Sequence, residues 1–244
     1  LNRANFNWAY SELFQNYDRG QIEHYLPGAN EISAADGITV HFAETHDNNR
    51  LAATSHGYAR MRTALCALLA PFGAFGFANG VEWLAREKIN VHQPCGLNWG
   101  AEINQVDAMA RLSRLLRTHP AFGHPSRCDL VTSGRGNVLA IVRRHLPSEK
   151  ALLIVANLDH DHPQQVGWDR SRRGADLSAA VDLLTGEAVD LSGMLELAPL
   201  QVRCLAPRDE SDALPDEERF DQAPAAVIRQ RLRAKALEGA RVYK

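Results

Sequence analysis

The stretch Val40-His41-Phe42-Ala43-Glu44-Thr45-His46-Asp47-Asn48-Asn49-Arg50 decides how this chain is read. Ile38, Val40 and Phe42 alternate with Thr39, His41 and Ala43. That period of two puts successive side chains on opposite faces of a strand. The apolar alternation then stops, and an adjacent His46-Asp47 pair follows. Such a pair at a strand end has two readings. It is a turn or cap, in which short polar side chains bond the local backbone. Or it is a site, where an imidazole and a carboxylate hold hydroxyl groups and stabilise developing positive charge.

Working outward, residues 54–70 predict a helix, with Tyr58, Met61, Leu65, Leu68 and Leu69 on one apolar stripe and Pro71 ending it. Residues 74–78 read as a second buried strand, with 79–83 as its exit loop. Strand, helix, strand in this order is a βαβ unit and predicts parallel pairing. Upstream, residues 1–26 read as mainly helical, with Trp8, Leu13, Phe14 and Tyr17 on one face and Pro27-Gly28 as the terminator. Downstream, a loop over 99–106 leads into an amphipathic helix over 105–117, carried by Val106, Met109, Leu112, Leu115 and Leu116 and closed by His119-Pro120.

The pattern changes after about Gly123. Short strands are expected over 128–132, 138–143, 151–158, 181–184, 194–197 and 202–205. Turn signals such as Ser133-Gly134-Arg135-Gly136-Asn137 and Thr185-Gly186-Glu187 separate them. Regular short strands with such punctuation predict an antiparallel sandwich. The acidic, Pro-containing segment from Arg208 reads as a linker, and the basic segment from Ala225 as a peripheral helix.

The bulk numbers narrow the function classes. The chain has 244 residues, 45% hydrophobic and 23% charged, an ordinary globular composition. A formal net charge of −2 carries no electrostatic footprint for nucleic acid. The longest apolar run, near Ala64 to Phe77, is broken by Pro71, Gly73 and Gly76, so no membrane span is expected. Cys66, Cys95, Cys128 and Cys204 form no CxxC pair, which argues against a zinc site and for a reducing, cytoplasmic setting. Leu1-Asn2-Arg3 shows no initiator Met or signal-peptide pattern and reads as a start within a longer chain.

Phe42-Ala43-Glu44-Thr45-His46-Asp47 resembles a motif of the α-amylase superfamily, family 13 of the glycoside hydrolases. There the seventh strand of the barrel ends in Phe-x-Glu/Asp-Asn-His-Asp, and Thr45 stands where Asn is usual. Gly73-Ala74-Phe75-Gly76-Phe77-Ala78-Asn79-Gly80-Val81-Glu82 is similar to the eighth-strand pattern, which ends in Gly-x-Glu. Asn157-Leu158 and Asp182-Leu183-Leu184-Thr185-Gly186-Glu187 are similar to stretches of the following all-β domain. The resemblance covers about residues 1–207.

The resemblance implies an α/β plus all-β chain: the last strands and helices of a (β/α)₈ barrel over 1–122, an antiparallel β-sandwich over 123–207, a linker over 208–224 and a peripheral helix over 225–244. It implies an enzyme acting on α-glucans or maltooligosaccharides, by retaining hydrolysis or glycosyl transfer. Asp47 becomes the carboxylate that stabilises an oxocarbenium-like transition state, and His46 a ligand for a sugar hydroxyl. Arg50, Glu82 and Trp83 are further substrate-binding candidates. Two of them keep an alternative: an ion pair for Arg50, core packing for Trp83.

The family's nucleophile and acid/base lie on its fourth and fifth strands, and nothing upstream of Asp47 matches them. A whole barrel needs about 250 residues. The chain alone is therefore expected to be inactive and to need a missing N-terminal half of the barrel as its partner. The competing reading is a non-catalytic carbohydrate-binding or assembly module. No cofactor or metal is implied. Asp159-His160-Asp161-His162 has metal-binding residue types, but neighbours on an extended chain point in different directions, so a solvated loop is favoured.

Overall fold

The computed structural model describes residues 8–35, 37–169, 179–208 and 236. The linker expected over 208–224 and the helix expected over 225–244 lie outside the described residues, but for Arg208 and Ala236.

The first part is a parallel sheet backed by helices. β1 (Trp8–Tyr10), β2 (Ile38–Phe42) and β3 (Phe75–Gly76) pair in that order. Trp8 lies opposite Ile38 and His41 opposite Phe75, both pairings parallel. α1 (Arg19–Ala35) crosses from β1 to β2. A single turn, α2 (Leu51–Thr54), and then α3 (His56–Leu69) cross from β2 to β3. Along β2, Thr39 and His41 are buried beneath the helices, while Ile38, Val40 and Phe42 are half-buried on the other face.

Three expectations change here. The segment over 8–10 is a strand, because pairing with β2 satisfies its backbone and outweighs the weak local helical pattern. Pro27 does not end the first helix. α1 runs through it, since Ile22, Leu26 and Ala29 bury one continuous face. An internal proline costs about 3 kcal/mol, which burial of two large aliphatic side chains offsets. The strand expected over 74–78 shrinks to Phe75–Gly76.

α3 starts where the sequence provides a cap: the Ser55 hydroxyl accepts the Tyr58 N–H at 3.0 Å. It stops before Pro71, with Ala70 already extended. α4 (Val106–Thr118) buries Met109, Leu112 and Leu115 and carries Asp107 in its first turn and Arg117 in its last, both favourable to the helix dipole.

The second part is two antiparallel sheets that share an apolar core. The larger has six strands: β4 (Ser126–Leu130), β6 (Val138–His145), β7 (Ala151–Asn157), β9 (Ala179–Asp182), β10 (Ala188–Asp190) and β12 (Val202–Pro207). Their order is β10-β9-β12-β7-β6-β4. The smaller sheet has the order β11-β8-β5, from β5 (Thr132–Ser133), β8 (Gln164–Trp168) and β11 (Leu195–Leu197). β8 and β10 have no counterpart among the strands expected from sequence.

β7 is buried along its whole length. Leu153 and Val155 face the small sheet with Val166 and Trp168. Leu152, Ile154 and Ala156 face the helices with Leu65 and Leu68. One strand therefore serves two cores and welds the two parts together.

Arg143 strengthens that weld. Its guanidinium is buried and donates to the carbonyls of Leu68 and Ala70, each at 3.0 Å, and of Ala121 at 3.3 Å. It also lies over the Phe122 ring at 4.6 Å. A cation from the larger antiparallel sheet thus caps the C-terminus of α3, where the helix dipole is negative.

Candidate functional site

A cavity of about 430 Å³ opens beyond the C-terminal ends of the parallel strands. Tyr10 is the last residue of β1, Phe42 the last of β2, and Ala78-Asn79 follow β3; all four line it. In open parallel sheets the carboxyl ends of the strands are where ligands bind. Gly76 shapes the floor. A Cβ there would come within 2.5 Å of the Phe42 ring, so only glycine lets that ring lie across β3.

The polar side is the turn after β2. Glu44 does not enter the cavity. Its side chain is 4% exposed, it accepts the Leu51 N–H at 2.7 Å and it pairs with Arg50 Nε at 2.7 Å. Arg50, 0% exposed, also donates through Nη2 to the Asn79 carbonyl at 2.8 Å. The pair closes the turn at its base and ties the exit of β2 to the exit of β3. Burial pushes the Glu44 carboxyl above the usual carboxylate range. The Arg50 guanidinium and the Leu51 N–H oppose that shift, and the charge of Glu82 adds to it.

Between the two ends of this clasp the turn projects outward. The Thr45 hydroxyl accepts the Asp47 N–H at 3.3 Å and donates to Asn48 Oδ1 at 3.2 Å. His46 and Asp47 stand at the apex, 56% and 75% exposed, with Nε2 and Oδ1 3.4 Å apart. Both line the cavity with Thr45 and Asn79. Their exposure leaves lone pairs and an N–H for a ligand.

Glycine is required again at Gly80. Its φ is +93°, and a Cβ would fall 2.7 Å from Arg50 Nη2. Its N–H donates to Glu82 Oε2 at 2.9 Å. The opposite wall of the cavity is apolar and comes from Tyr10, Phe14, Ile89, Val91 and Leu97, with Cys95 among them.

The residues singled out in sequence therefore separate. His46 and Asp47 meet at the cavity. Arg50 does not line it; the ion-pair alternative is what the structure holds, because a guanidinium at that depth needs the Glu44 carboxylate. Glu82 folds back on Gly80, and Trp83 packs on Trp99 with ring centroids 5.5 Å apart. Neither lines the cavity. The apolar wall over 89–97 was invisible in sequence, because an irregular loop carries no periodic signal. The alternation Trp8-Ala9-Tyr10 was the one available hint to Tyr10.

Chemically, the lining offers one carboxylate, one imidazole and three neutral polar side chains, Thr45, Asn79 and the phenol of Tyr10, with the Cys95 thiol beside them. That set can bind hydroxyls and stabilise a cationic centre. Glycoside cleavage needs a second carboxyl group about 5–10 Å from the first, and the described lining holds only Asp47. Asp159 is part of a turn, accepting the N–H groups of Asp161 and His162, each at 2.9 Å, while His160 stacks on Tyr58.

No protein-family model and no curated protein sequence matches the chain. Solved structures do. An α-amylase from Lactobacillus plantarum superposes with a TM-score of 0.60 at 17% identity, over 83% of this chain and 48% of that one. A noncanonic maltogenic α-amylase from Thermotoga neapolitana gives 0.60 at 15%, over 84% and 50%. A debranching enzyme from Nostoc punctiforme gives 0.55 at 19%, over 77% and 37%. At these identities the likeness shows the fold: a mixed α/β and antiparallel β arrangement found in α-amylase-type enzymes. The chain spans about half the length of the first two.

Proposed function

We propose that this chain carries the hydroxyl-binding and charge-stabilising part of an α-glucan-processing site of the α-amylase type. The observation that carries the reading is the His46-Asp47 pair, exposed at the C-terminal end of a parallel strand on a turn clasped by Glu44 and Arg50. In this reading β1, β2 and β3 are the closing strands of a (β/α)₈ barrel, and the antiparallel sandwich is the domain that follows it. Asp47 accepts hydroxyl protons from a sugar ring and stabilises the positive charge that develops at its anomeric carbon. His46 binds a hydroxyl of the same ring. Arg50 and Glu82 hold the turns that present these groups, Arg50 through Asn79 and Glu82 through Gly80.

The nucleophile and the acid/base belong to the rest of the barrel, contributed by residues outside this chain. The chain alone then binds maltooligosaccharides without turning them over. One observation favours the second reading, a carbohydrate-binding module without chemistry: Asp47 is the single carboxylate of the described lining. The reading includes a cytoplasmic setting, supported by four cysteines that pair in no disulfide.

The test is titration of the chain with maltose and maltotriose, with product analysis of the same mixtures. Saturable binding that Asp47→Asn removes, without product, is the expected outcome. Supplying the complementary barrel half then separates the readings: turnover that depends on Asp47 supports the enzyme, and continued inactivity supports the module. Wild-type affinity in Asp47→Asn refutes both.

A further inference from the structure

Between β3, which ends at Gly76, and α4, which starts at Val106, the chain forms no helix or strand. Connections of that length inside a compact fold are uncommon and are usually functional. The part over 87–97 is nevertheless held in place. The Gly96 N–H donates to Glu87 Oε2 at 2.6 Å and draws the two ends of the segment together. Inside it, Asn90 Oδ1 accepts the His92 N–H at 2.9 Å and fixes a turn. Just beyond it, the Asn98 side chain donates to the Trp83 carbonyl at 2.8 Å and ties the segment back to its own entry.

The side chains of this segment are sorted by polarity. Ile89, Val91, Cys95 and Leu97 line the cavity. Lys88, Asn90, His92 and Gln93 are exposed and stay outside the lining. Val91 keeps 63% of its surface exposed at the cavity wall. An aliphatic side chain held in that state by a stapled loop gains little from the fold, and its burial awaits a ligand.

The two sides of the cavity therefore ask for different chemistry. Sugar hydroxyls find partners at His46 and Asp47. A hydroxyl set against Ile89, Val91 and Leu97 would lose water without gaining a partner, which is unfavourable. An apolar group in the same place gains by leaving water. We infer that the wall over 87–97 seats an apolar aglycone, so that the cavity takes an aryl glycoside in preference to a disaccharide. Its volume of about 430 Å³ lies within the range of about 300–1,000 Å³ that buries a two-ring ligand of this size. A mostly apolar lining with a few polar groups that set orientation is the usual construction of such a pocket. The inference rests on the sugar-binding reading of the His46-Asp47 pair and adds the chemical class of the group the sugar carries.

The experiment is isothermal titration calorimetry of the full chain with phenyl α-D-glucopyranoside and with maltose, at several temperatures. It compares wild type, the double variant Ile89→Ser with Val91→Ser, and Asp47→Asn. Wild type should bind the phenyl glucoside about tenfold more tightly than maltose, with the more negative heat-capacity change of the two. The double variant should lose that preference and the difference in heat capacity. A thermal midpoint equal to wild type shows that it is folded, and Val91→Ser alone, at an exposed position, supplies the comparison otherwise. Equal affinities for the two ligands in wild type, both lost in Asp47→Asn, overturn the apolar seat and leave the sugar-binding reading standing. Phenyl glucoside binding lost in the double variant but untouched by Asp47→Asn keeps the apolar seat and sinks the reading of the pair. No saturable heat with either ligand overturns both.

Discussion

Acid should destabilise this protein through His41. Its imidazole lies on the buried face of β2 and has no exposed surface. Burial, and after it the nearby Arg143 guanidinium, push its pKa down to about 3, with the Cys66 main chain opposing. In the unfolded chain the group titrates near 6.5. The folded state therefore holds His41 neutral where the unfolded state already binds a proton, and stability rises with pH across that interval. The contribution is complete above about pH 6.5 and is lost as pH falls towards 3. Each pH unit in this window costs about 1.4 kcal/mol, so about 2 kcal/mol is gone at pH 5 and about 5 kcal/mol at pH 3. A domain of ordinary stability has about 5–15 kcal/mol to lose. Urea unfolding at pH 7.5 and pH 5.0, followed by tryptophan fluorescence, measures the loss in wild type and in His41→Leu. All other titrating groups are common to both proteins, so the difference between the two pH dependences isolates His41. Wild type should lose about 2 kcal/mol more than the variant. Equal losses would refute the reasoning, and His41→Gln supplies the same comparison if the leucine variant is poorly folded.

Other perturbations test the clasp, the weld and the open sheet. Arg50→Met strands a buried carboxylate and should cost about 3–5 kcal/mol in urea unfolding, whereas adding Glu44→Gln should recover much of it. Gly80→Ala meets both a positive φ and Arg50 Nη2. It should lower stability by about 1–3 kcal/mol in the same assay. Arg143→Met leaves the carbonyls of Leu68, Ala70 and Ala121 without their donor; a loss of about 3 kcal/mol in the same assay is expected. β1 exposes Trp8 at 52% and Tyr10 at 65% on a strand whose outer edge is unpaired among the described residues. The chain should self-associate in sedimentation velocity, and a monodisperse monomer would contradict that.

Local pattern was enough wherever one element's neighbours in sequence were also its neighbours in energy. The alternation over 38–43, the Pro71 stop of α3, and the apolar stripe of α4 all depend on residues a few positions apart. The His46-Asp47 pair was legible for the same reason, since a strand end and its turn are contiguous. Arg50 was ambiguous in sequence because nothing local says whether a guanidinium eight residues past the end of a strand faces ligand or carboxylate. Depth decided it. Glu82 and Trp83 sit beside the cavity in sequence and outside its wall in space, because Glu82 turns back on Gly80 and Trp83 finds Trp99 sixteen residues away.

By itself, then, the sequence determined a parallel βαβ unit, an antiparallel β region and a His-Asp pair placed at a strand terminus. Tertiary structure decided the rest. It made residues 8–10 a strand by giving them β2 as a partner, and carried α1 through Pro27 by burying Ile22 and Leu26. It withdrew Arg50 into an ion pair and built the apolar wall from a loop with no pattern of its own. The physical reason is common to all four. Hydrogen-bond satisfaction and burial are settled between segments distant in the chain, and these terms exceed the local preferences that a sequence displays.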